Sequence, residues 1–198
     1  SPDRTWQVVE EIRAEKDNIE LVRRIGRRGL ASAIAGGISL SRGEVIVWMD
    51  CDFSMPPEVI PRLVKALGDS YGIAIGSRYV EGGKDGRESF TRVLTSKLIN
   101  LFACLILGFS IKDYTTGFVA VRREVFDQVN ISERYEHGEY CIDFLYKAKR
   151  KGFKVKEIPY VCRPRRFGGT KTAPNILSLI RHGARYCLTV LKLRFHRG

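Results

Sequence analysis

The chain has 198 residues, of which 44% are hydrophobic and 28% are charged, a composition that suits one compact globular domain with an ample core. It contains no internal repeat and no low-complexity segment, which excludes repeat and low-complexity architectures. Lys and Arg number 34 against 22 Asp and Glu, so the formal net charge is +12. Such a charge favours anionic partners: nucleic acid, an acidic membrane surface or phosphorylated substrates.

The cysteines and the apolar segments bear on the cellular compartment. Five cysteines are scattered singly, without the close pairs of a zinc site or a redox motif. An odd, unpaired set predicts a reducing compartment such as the cytosol, and the N-terminus carries no signal-peptide pattern. The longest apolar run, from Leu98 to Ile111, falls short of the roughly 20 residues that span a bilayer.

Helices and strands are predicted to alternate along the chain. Helices are predicted over residues 5–16, 29–40, 57–67, 91–108 and 175–195, with one more inside 132–151. Strands are predicted over residues 19–22, 45–49, 73–75 and 155–162, with one more inside 113–121. Residues 80–90 carry three glycines and five charges and predict a mobile loop, and residues 163–172 predict a basic loop. This alternation predicts an α/β layered domain, and the apolar run at 45–49 predicts a strand buried on both faces of a parallel sheet.

The last predicted helix is amphipathic. Its apolar residues recur at spacings of three and four, and a basic stripe lies beside them, formed by Arg181, Arg185, Lys192 and His196. Two interpretations stay open. The helix packs on the domain with a solvated face, or it lies on an anionic membrane surface.

Two aspartates, Asp50 and Asp52, end the predicted strand at 45–49. In an extended strand, residues i and i+2 point to the same face, so both carboxylates share one small space. Like charges repel there unless a cation or a proton neutralises them. Open α/β sheets bind ligands at the carboxyl ends of their strands, and carboxylates together with a phosphate-bearing substrate commonly hold Mg²⁺ or Mn²⁺.

Two classes of enzyme compete for this aspartate pair. Phosphatases of the haloacid-dehalogenase type place Asp-x-Asp after an apolar strand, with Thr or Val two positions beyond the second Asp. Phe53 and Ser54 follow here, and nothing downstream completes that pattern. The other class is a nucleotide-sugar glycosyltransferase, in which the pair anchors a metal on the donor diphosphate.

Six segments of the chain resemble, in the right order, family 2 glycosyltransferases of the GT-A fold, in particular the dolichol-phosphate mannose synthase branch. "MDCDFSMPPEVIPRLV" resembles the metal-binding segment of that family, and "GLASAIAGGISLSRGEVI" resembles its Gly-Leu-Gly-x-Ala helix. "SPDRT" is similar to the end of its Asp-Asp-x-Ser-x-Asp-x-Thr turn, and "AIGSRYVEGG" to its Gly-Ser-Arg strand end. "DYTTGFVAVRREVF" and "DFLYKAKRKGFKVKEIPYVCRPRRFGGTK" are similar to the Asp-x-Thr-Ser-Gly-Phe run and to the helix, strand and basic loop that follow it.

The resemblance implies a fold and a domain organisation. The fold is a GT-A, Rossmann-like layered α/β sheet with helices on both faces and a C-terminal amphipathic helix. Residues 1–172 are expected to form the glycosyltransferase domain, and residues 173–198 an amphipathic juxtamembrane helix. The family's first strands, which hold the nucleotide, would precede Ser1, so the chain is expected to be N-terminally truncated.

The resemblance also implies roles for individual residues. Asp50 and Asp52 would hold Mn²⁺ or Mg²⁺ on the donor diphosphate, and Ser54 would replace a family Gln as a metal neighbour. Phosphates of donor or acceptor would face Arg78, Arg92 and Ser96, and a loop carrying Arg165 and Lys171 would close over them. The residues expected to act in catalysis are Asp50, Asp52, Arg92 and Arg165.

Two further aspartates stand at family positions. Asp113 either forms a turn through its side chain or orients the acceptor. Asp143 stands where the family has a helix Glu, and we expect its replacement to be mild, because a phosphate acceptor needs no general base.

The leading functional hypothesis is metal-dependent, inverting transfer of a hexose to dolichyl or polyprenyl phosphate, with mannose from GDP-mannose as the expected donor. The enzyme would act at the cytosolic face of a membrane, bound peripherally or through transmembrane segments outside this chain. Within the same class, the alternative is a UDP-glucose-dependent polyprenyl-phosphate glucosyltransferase or another family 2 enzyme. From other classes, a nucleic-acid-binding module or an inactive partner-binding module would also suit +12, but no nucleic-acid motif is present, so we expect no nucleic-acid partner.

Overall fold

The computed structural model describes residues 4–26, 28–165 and 175–195. Its helices are α1 (Thr5–Glu15), α2 (Leu30–Leu40), α3 (Ile60–Leu67), α4 (Phe90–Leu107), α5 (Glu139–Arg150) and α6 (Ile176–Phe195). Its strands are β1 (Val45–Trp48), β2 (Ile73–Ser77), β3 (Lys84–Asp85), β4 (Val119–Arg122), β5 (Val155–Pro159) and β6 (Val161–Cys162). Two short 3₁₀ helices cover Pro57–Val59 and Arg123–Asp127.

The main sheet is mixed rather than parallel. Its strand order is β1-β4-β2-β5, in which β4 runs antiparallel to both of its neighbours and β2 runs parallel to β5. The expectation of an all-parallel sheet is therefore wrong at β4. Strand β1 lies at the edge of the sheet and is only partly buried, which differs from the prediction of a strand buried on both faces.

Helices cover both faces of this sheet, as the α/β prediction required. On one face, Ile73, Ile75 and Val121 pack beneath α4 and α5, and on the other face Ala74 and Ala120 pack beneath α3. Successive strand residues point to opposite faces, so a single apolar strand supplies both cores. Each fully buried large side chain contributes about 1.5–3 kcal/mol to stability relative to its exposed state.

Two predicted segments differ in the structure. Residues 19–22 form no strand, and Val22 remains 47% exposed. The segment at 80–90, predicted as a mobile loop, contains β3, which pairs with β6 in a second, two-stranded parallel sheet. The Asp85 side chain in this segment is only 1% exposed. Two of the charges that suggested mobility, Lys84 and Asp85, therefore form a short strand, and Asp85 is fixed by ion pairs with Arg78 and Arg87.

Helix α6 packs against α4 and α5 instead of extending away from the domain. Thr189 and Val190 are its buried residues. The predicted boundary at residue 172 lies outside the described residues, so the two-part division of the chain stays a prediction.

Candidate functional site

A cavity of about 570 Å³ opens at the edge of the sheet where β1 and β2 end and β4 begins. Asp50 and Asp52 follow β1, Arg78 follows β2, and Thr115 to Gly117 precede β4, and all of them line the cavity. Helices α4, α5 and α6 complete the wall. The cavity thus lies where ligands bind in open α/β sheets, and the strand-end aspartates lie inside it as predicted.

The aspartate pair is fixed by local backbone geometry. Asp52 Oδ1 accepts a hydrogen bond from the Ser54 N–H at 3.0 Å, which closes a tight turn. Phe53, inside this turn, has φ = 62°, a left-handed conformation that bulky residues rarely adopt. Strain of this kind persists where the surrounding structure fixes it, and it is frequent at functional sites.

The electrostatics of the pair favour a bound cation. Burial raises the pKa of Asp50 above its ordinary value, the neighbouring Asp52 carboxylate raises it further, and the Arg165 guanidinium acts in the opposite direction. Arg165 Nε lies 2.7 Å from Asp52 Oδ2, so one cation of the chain already contacts the pair. A second positive charge beside Asp50 would relieve the remaining repulsion.

A divalent metal fits this site if other molecules complete its coordination. Among the described residues, no group of three or more His, Cys, Asp or Glu side chains is placed to hold a metal. Mg²⁺ commonly binds through one or two carboxylates together with substrate phosphates and water. Asp50 and Asp52 match that arrangement. The role of Ser54, which is buried and lines the cavity, as a metal neighbour stays a prediction.

Arg78 and Asp113 form a buried ion pair beneath the cavity. The pair is bidentate, with Arg78 Nε and Nη2 each 2.8 Å from an Asp113 carboxylate oxygen, and Asp113 also accepts the Arg78 backbone N–H at 3.1 Å. Arg78 is 8% exposed and Asp113 is 0% exposed. Asp113 Oδ1 lies 3.3 Å from the Thr115 hydroxyl as well, consistent with the turn-forming interpretation. Asp113 therefore acts on the cavity through Arg78, and contact of either residue with a substrate stays a prediction.

A hydrogen-bond chain links α4 to this ion pair. Asn100 donates to the Thr115 hydroxyl at 2.8 Å, and the same hydroxyl accepts from Arg78 Nη2 at 2.8 Å. One turn earlier on α4, Ser96 Oγ lies 2.9 Å from the Tyr79 hydroxyl. Ser96 lines the cavity as predicted, but its hydroxyl already has a protein partner. Helix α4 is thus fixed to the ends of β2 and β4 by polar contacts.

The lining contains more positive charge than the sequence analysis assigned. Its arginines are Arg78, Arg87, Arg92, Arg163 and Arg165, whereas Asp50 and Asp52 are its carboxylates among the described residues. Arg87 forms a bidentate pair with the buried Asp85, at 2.8 and 2.6 Å. Arg87 was missed because its segment was interpreted only as a mobile loop, and Arg163 because only Arg165 and Lys171 of the basic loop were assigned to the phosphates. Their spacing after a short strand would have been the available signal.

Helix α6 contributes a wall that the sequence analysis did not predict. His182 and Tyr186 of α6 line the cavity opposite His137 and Gly138. The two histidine rings meet edge to face, with centroids 4.4 Å apart. A Cβ atom at position 138 would overlap the Tyr186 hydroxyl, so only glycine allows α6 to approach the start of α5 this closely.

Two residues of the sequence analysis lie elsewhere. Lys171 lies outside the described residues. Asp143 does not line the cavity, and its carboxylate instead pairs with Lys147 at 2.8 Å and with Arg134 at 3.2 Å. The expectation that its replacement is mild stays a prediction.

Comparison with protein families matches residues 1–129 to the model described as glycosyl transferase family 2. The chain belongs to this family.

Among curated relatives of this family 2 chain, a dolichol-phosphate mannosyltransferase of Pyrococcus furiosus is 37% identical over 92% of the chain and 51% of its own length. A polyprenol monophosphomannose synthase of Mycolicibacterium smegmatis is 37% identical, over 86% of the chain and 66% of its length. An undecaprenyl-phosphate mannosyltransferase of Micrococcus luteus is 30% identical, over 89% of the chain and 74% of its own length. The chain thus spans about half to two thirds of the first two relatives.

Solved structures agree with the fold of the family 2 chain. A glucosyl-3-phosphoglycerate synthase of Mycobacterium tuberculosis, crystallised with Mn²⁺, UDP-glucose and phosphoglyceric acid, superposes with a TM-score of 0.65 at 18% identity. The match covers 95% of the chain and 65% of that structure. A second mycobacterial protein superposes with a TM-score of 0.65 at 21% identity, over 95% of the chain and 61% of its own. The layered GT-A architecture predicted from the motifs is confirmed.

Replacing Asp50 should stabilise the metal-free protein. Its raised pKa means that the folded state disfavours the ionised carboxyl, so wild-type stability is reduced as the pH rises through the folded pKa. We expect Asp50→Asn to raise the melting temperature at pH 7 in EDTA, with a smaller gain at pH 5. Differential scanning calorimetry measures this, with the exposed Asp17→Asn as control. A lower melting temperature for Asp50→Asn at pH 7 would show that Asp50 has a structural role.

Breaking the ion pair beneath the cavity should be strongly destabilising. Asp113→Ala removes the bidentate partner of the buried Arg78 guanidinium and leaves it only the longer contact to Asp85, at 3.5 Å, so we expect a loss of about 3–5 kcal/mol in the free energy of unfolding. Urea denaturation measures it, with Asp17→Ala as the exposed control. The double replacement Arg78→Met with Asp113→Leu should lose less than Asp113→Ala alone. A wild-type free energy of unfolding for Asp113→Ala would contradict the account.

Proposed function

We propose that this chain is the catalytic part of a metal-dependent, inverting hexosyltransferase that transfers mannose from GDP-mannose to dolichyl or polyprenyl phosphate. The observation that carries the proposal is the composition of the cavity, where two carboxylates lie among five arginines. One metal-held diphosphate accounts for the carboxylates but not for the arginines. Arg78 and Arg87 pair with Asp113 and Asp85, and a second phosphate, on the acceptor, would face the other arginines.

The activities for which the relatives are named support the donor sugar and the lipid acceptor. Three of them are a dolichol-phosphate mannosyltransferase, a polyprenol monophosphomannose synthase and an undecaprenyl-phosphate mannosyltransferase. Each name joins mannose to a polyprenyl phosphate. We therefore place GDP-mannose ahead of UDP-glucose as the donor for this chain.

The chemistry follows from holding two anions close together. Mn²⁺ or Mg²⁺ bound by Asp50 and Asp52 would neutralise the charge that develops on the donor diphosphate as it leaves. The planar guanidinium groups of Arg92 and Arg165 suit the acceptor phosphate, because arginine binds phosphate with paired hydrogen bonds. Arg165 contacts Asp52, so in this proposal it would stand between the donor diphosphate and the acceptor phosphate.

A phosphate acceptor makes a general base unnecessary. A phosphate monoester with a second pKa near 6 is largely dianionic at neutral pH and attacks without losing a proton. No third carboxylate lines the cavity in the described part of the chain, and the remaining groups that accept protons there include His137 and His182. Direct displacement at the anomeric carbon inverts its configuration, so an α-linked donor gives a β-linked product.

An apolar surface beside the cavity suits a lipid-linked acceptor. On α4, exposed apolar residues recur at spacings of three and four, namely Leu94, Leu98, Leu101 and Leu105. On α6, which packs against α4, the exposed apolar residues are Ile176, Leu177, Ile180, Leu188 and Phe195. We name these two sets together the α4–α6 face. In the sequence, membrane contact was indicated for α6 alone, and the exposed apolar side of α4 was missed.

Helix α4 lies along the membrane surface in this proposal. By length and composition it is apolar enough to cross a membrane, and 22% of it is buried. The sequence analysis judged the apolar run too short because it began at Leu98, whereas the helix begins at Phe90. The opposite side of α4 carries Ser96 and Asn100, which are fixed by hydrogen bonds at the cavity. A helix with one polar, anchored side and one apolar, exposed side fits an interfacial position.

Loss of Arg92 should weaken use of the acceptor more than binding of the donor. In the protein that carries this chain, we expect Arg92→Ala to lower kcat/KM for polyprenyl phosphate about 10- to 100-fold, the cost of losing a hydrogen bond to a charged group. Arg165→Ala should lower it as much and also weaken Mn²⁺-dependent GDP binding, because Arg165 contacts Asp52. Lys97→Ala, exposed on the same helix and outside the cavity lining, is the control.

Transfer assays with GDP-mannose and UDP-glucose, each offered polyprenyl phosphate or a simple sugar alcohol, decide the reaction. Efficient transfer to the alcohol, abolished by His137→Asn or Asp143→Asn, would contradict a phosphate acceptor. Faster transfer from UDP-glucose would contradict the assignment of the donor.

Polar replacements on the α4–α6 face should reduce membrane binding. Leu98→Gln with Leu105→Gln removes two exposed apolar side chains without adding charge, so partitioning to phosphatidylcholine vesicles should fall at least about tenfold. Val8→Gln with Ile25→Gln, two exposed apolar residues on other elements, is the matched control. Sedimentation with vesicles measures both variants. Equal partitioning of the two double variants would show that α4 does not contact the membrane.

A further inference from the structure

A second cavity, of about 1080 Å³, lies between α5, α6 and the segment 128–134. Its lining includes five basic side chains, Arg134, Lys147, Arg150, Lys151 and Lys192, and no acidic side chain. We name it the basic cleft. It shares no lining residue with the cavity that holds Asp50 and Asp52.

Part of the positive charge in the basic cleft is already neutralised. Arg134 and Lys147 both pair with the buried Asp143 carboxylate, which cancels one of their two charges. Arg150, Lys151 and Lys192 form no ion pair with any described carboxylate. About four net positive charges therefore face one concave surface. A concave surface with charge of a single sign concentrates the opposite ion, so the basic cleft is suited to an anionic ligand.

The position of Lys192 indicates where that anion comes from. Lys192 is an exposed residue of α6, four positions after Leu188 and three before Phe195. Those two neighbours belong to the α4–α6 face and are 55% and 71% exposed. The basic cleft consequently adjoins the apolar surface that lies on the membrane in the proposed function.

We propose that the basic cleft binds the phosphate headgroup of an anionic phospholipid. The α4–α6 face would enter the acyl region while the cleft receives a headgroup at the same depth. The inference rests on the membrane placement argued for the proposed function. A headgroup bound there would give a function to basic side chains of α5 that have no part in the reaction. It would also give a reason for the cations that surround Asp143.

Neutralising the cleft should weaken binding to anionic vesicles. The test variant is Arg150→Gln with Lys151→Gln, and its partitioning to mixed phosphatidylglycerol and phosphatidylcholine vesicles should be about 30-fold weaker than wild type. Binding to pure phosphatidylcholine vesicles should not change, because no anionic headgroup is present there.

A matched control separates a local site from net charge. Arg62→Gln with Lys65→Gln removes the same two charges from exposed positions on α3, on the opposite face of the sheet. We expect less than about a threefold effect, because charges farther than a Debye length from the membrane are screened. Equal weakening by the two double variants would overturn the proposal in favour of general electrostatic attraction. Should the Arg150 and Lys151 variant fail to fold, Lys192→Gln alone should weaken binding about fivefold.

Inorganic phosphate tests the alternative source of the anion. Unchanged vesicle binding, together with a phosphate-induced rise in melting temperature that the Arg150 and Lys151 variant lacks, would overturn a lipid site. Mn²⁺-dependent GDP binding is measured on the same variants and should equal that of wild type. Failure of the wild-type protein to bind GDP would count against the proposed function, whereas the vesicle comparison alone decides the role of the basic cleft.

Discussion

Repulsion between two carboxylates at the end of β1 is the constraint around which the cavity is organised. Asp50 and Asp52 share one space, and burial makes the negative charge of Asp50 more costly. The chain places arginines around them: Arg165 contacts Asp52 directly, and Arg78 is held beneath the cavity by Asp113. We expect the fold to be more stable without the Asp50 carboxylate, whereas Asp52 closes a turn and pairs with Arg165. A site in which charge is concentrated at a cost to stability is what binding of a metal and two phosphates requires.

In the proposed function, the two sides of helix α4 connect the cavity to the membrane. Helix α4 carries Ser96 and Asn100 on its inner side and Leu98 and Leu105 on its outer side. In the proposed function, the acceptor phosphate is anchored in the bilayer by its lipid tail, so its headgroup would reach a cavity whose wall, α4, lies on the membrane surface. The hydrogen bonds that the Thr115 hydroxyl accepts from Asn100 and from Arg78 fix that wall to the end of β2 and to the segment before β4. In the proposed function, one helix therefore both contacts the membrane and positions the reactants.

Much of the site could be predicted from local sequence, and the rest depended on contacts between distant residues. The spacing of Asp50 and Asp52 after an apolar strand located the cavity, because strand periodicity is a local property. The partner of Arg78 lies 35 positions away, so no local pattern revealed that Asp113 would occupy its guanidinium. The antiparallel direction of β4 likewise depends on how strands distant in the sequence pair, which no local pattern reveals. The outer face of α4 was missed for a different reason, since an apolar helix beside a sheet has the composition of a buried core helix whether or not one side is exposed.

The most direct test of the central claim is calorimetric titration of GDP into the protein that carries this chain, with Mn²⁺ and then with EDTA. The account predicts that GDP binding depends on the metal. Affinity should fall by about tenfold or more in EDTA, and equally in Asp52→Asn with Mn²⁺ present, because either change removes the ion that joins the diphosphate to the carboxylates. The melting temperature of Asp52→Asn should show that the domain still folds. GDP affinity that is unchanged both in EDTA and in Asp52→Asn would contradict the claim that this aspartate pair holds the donor through a metal.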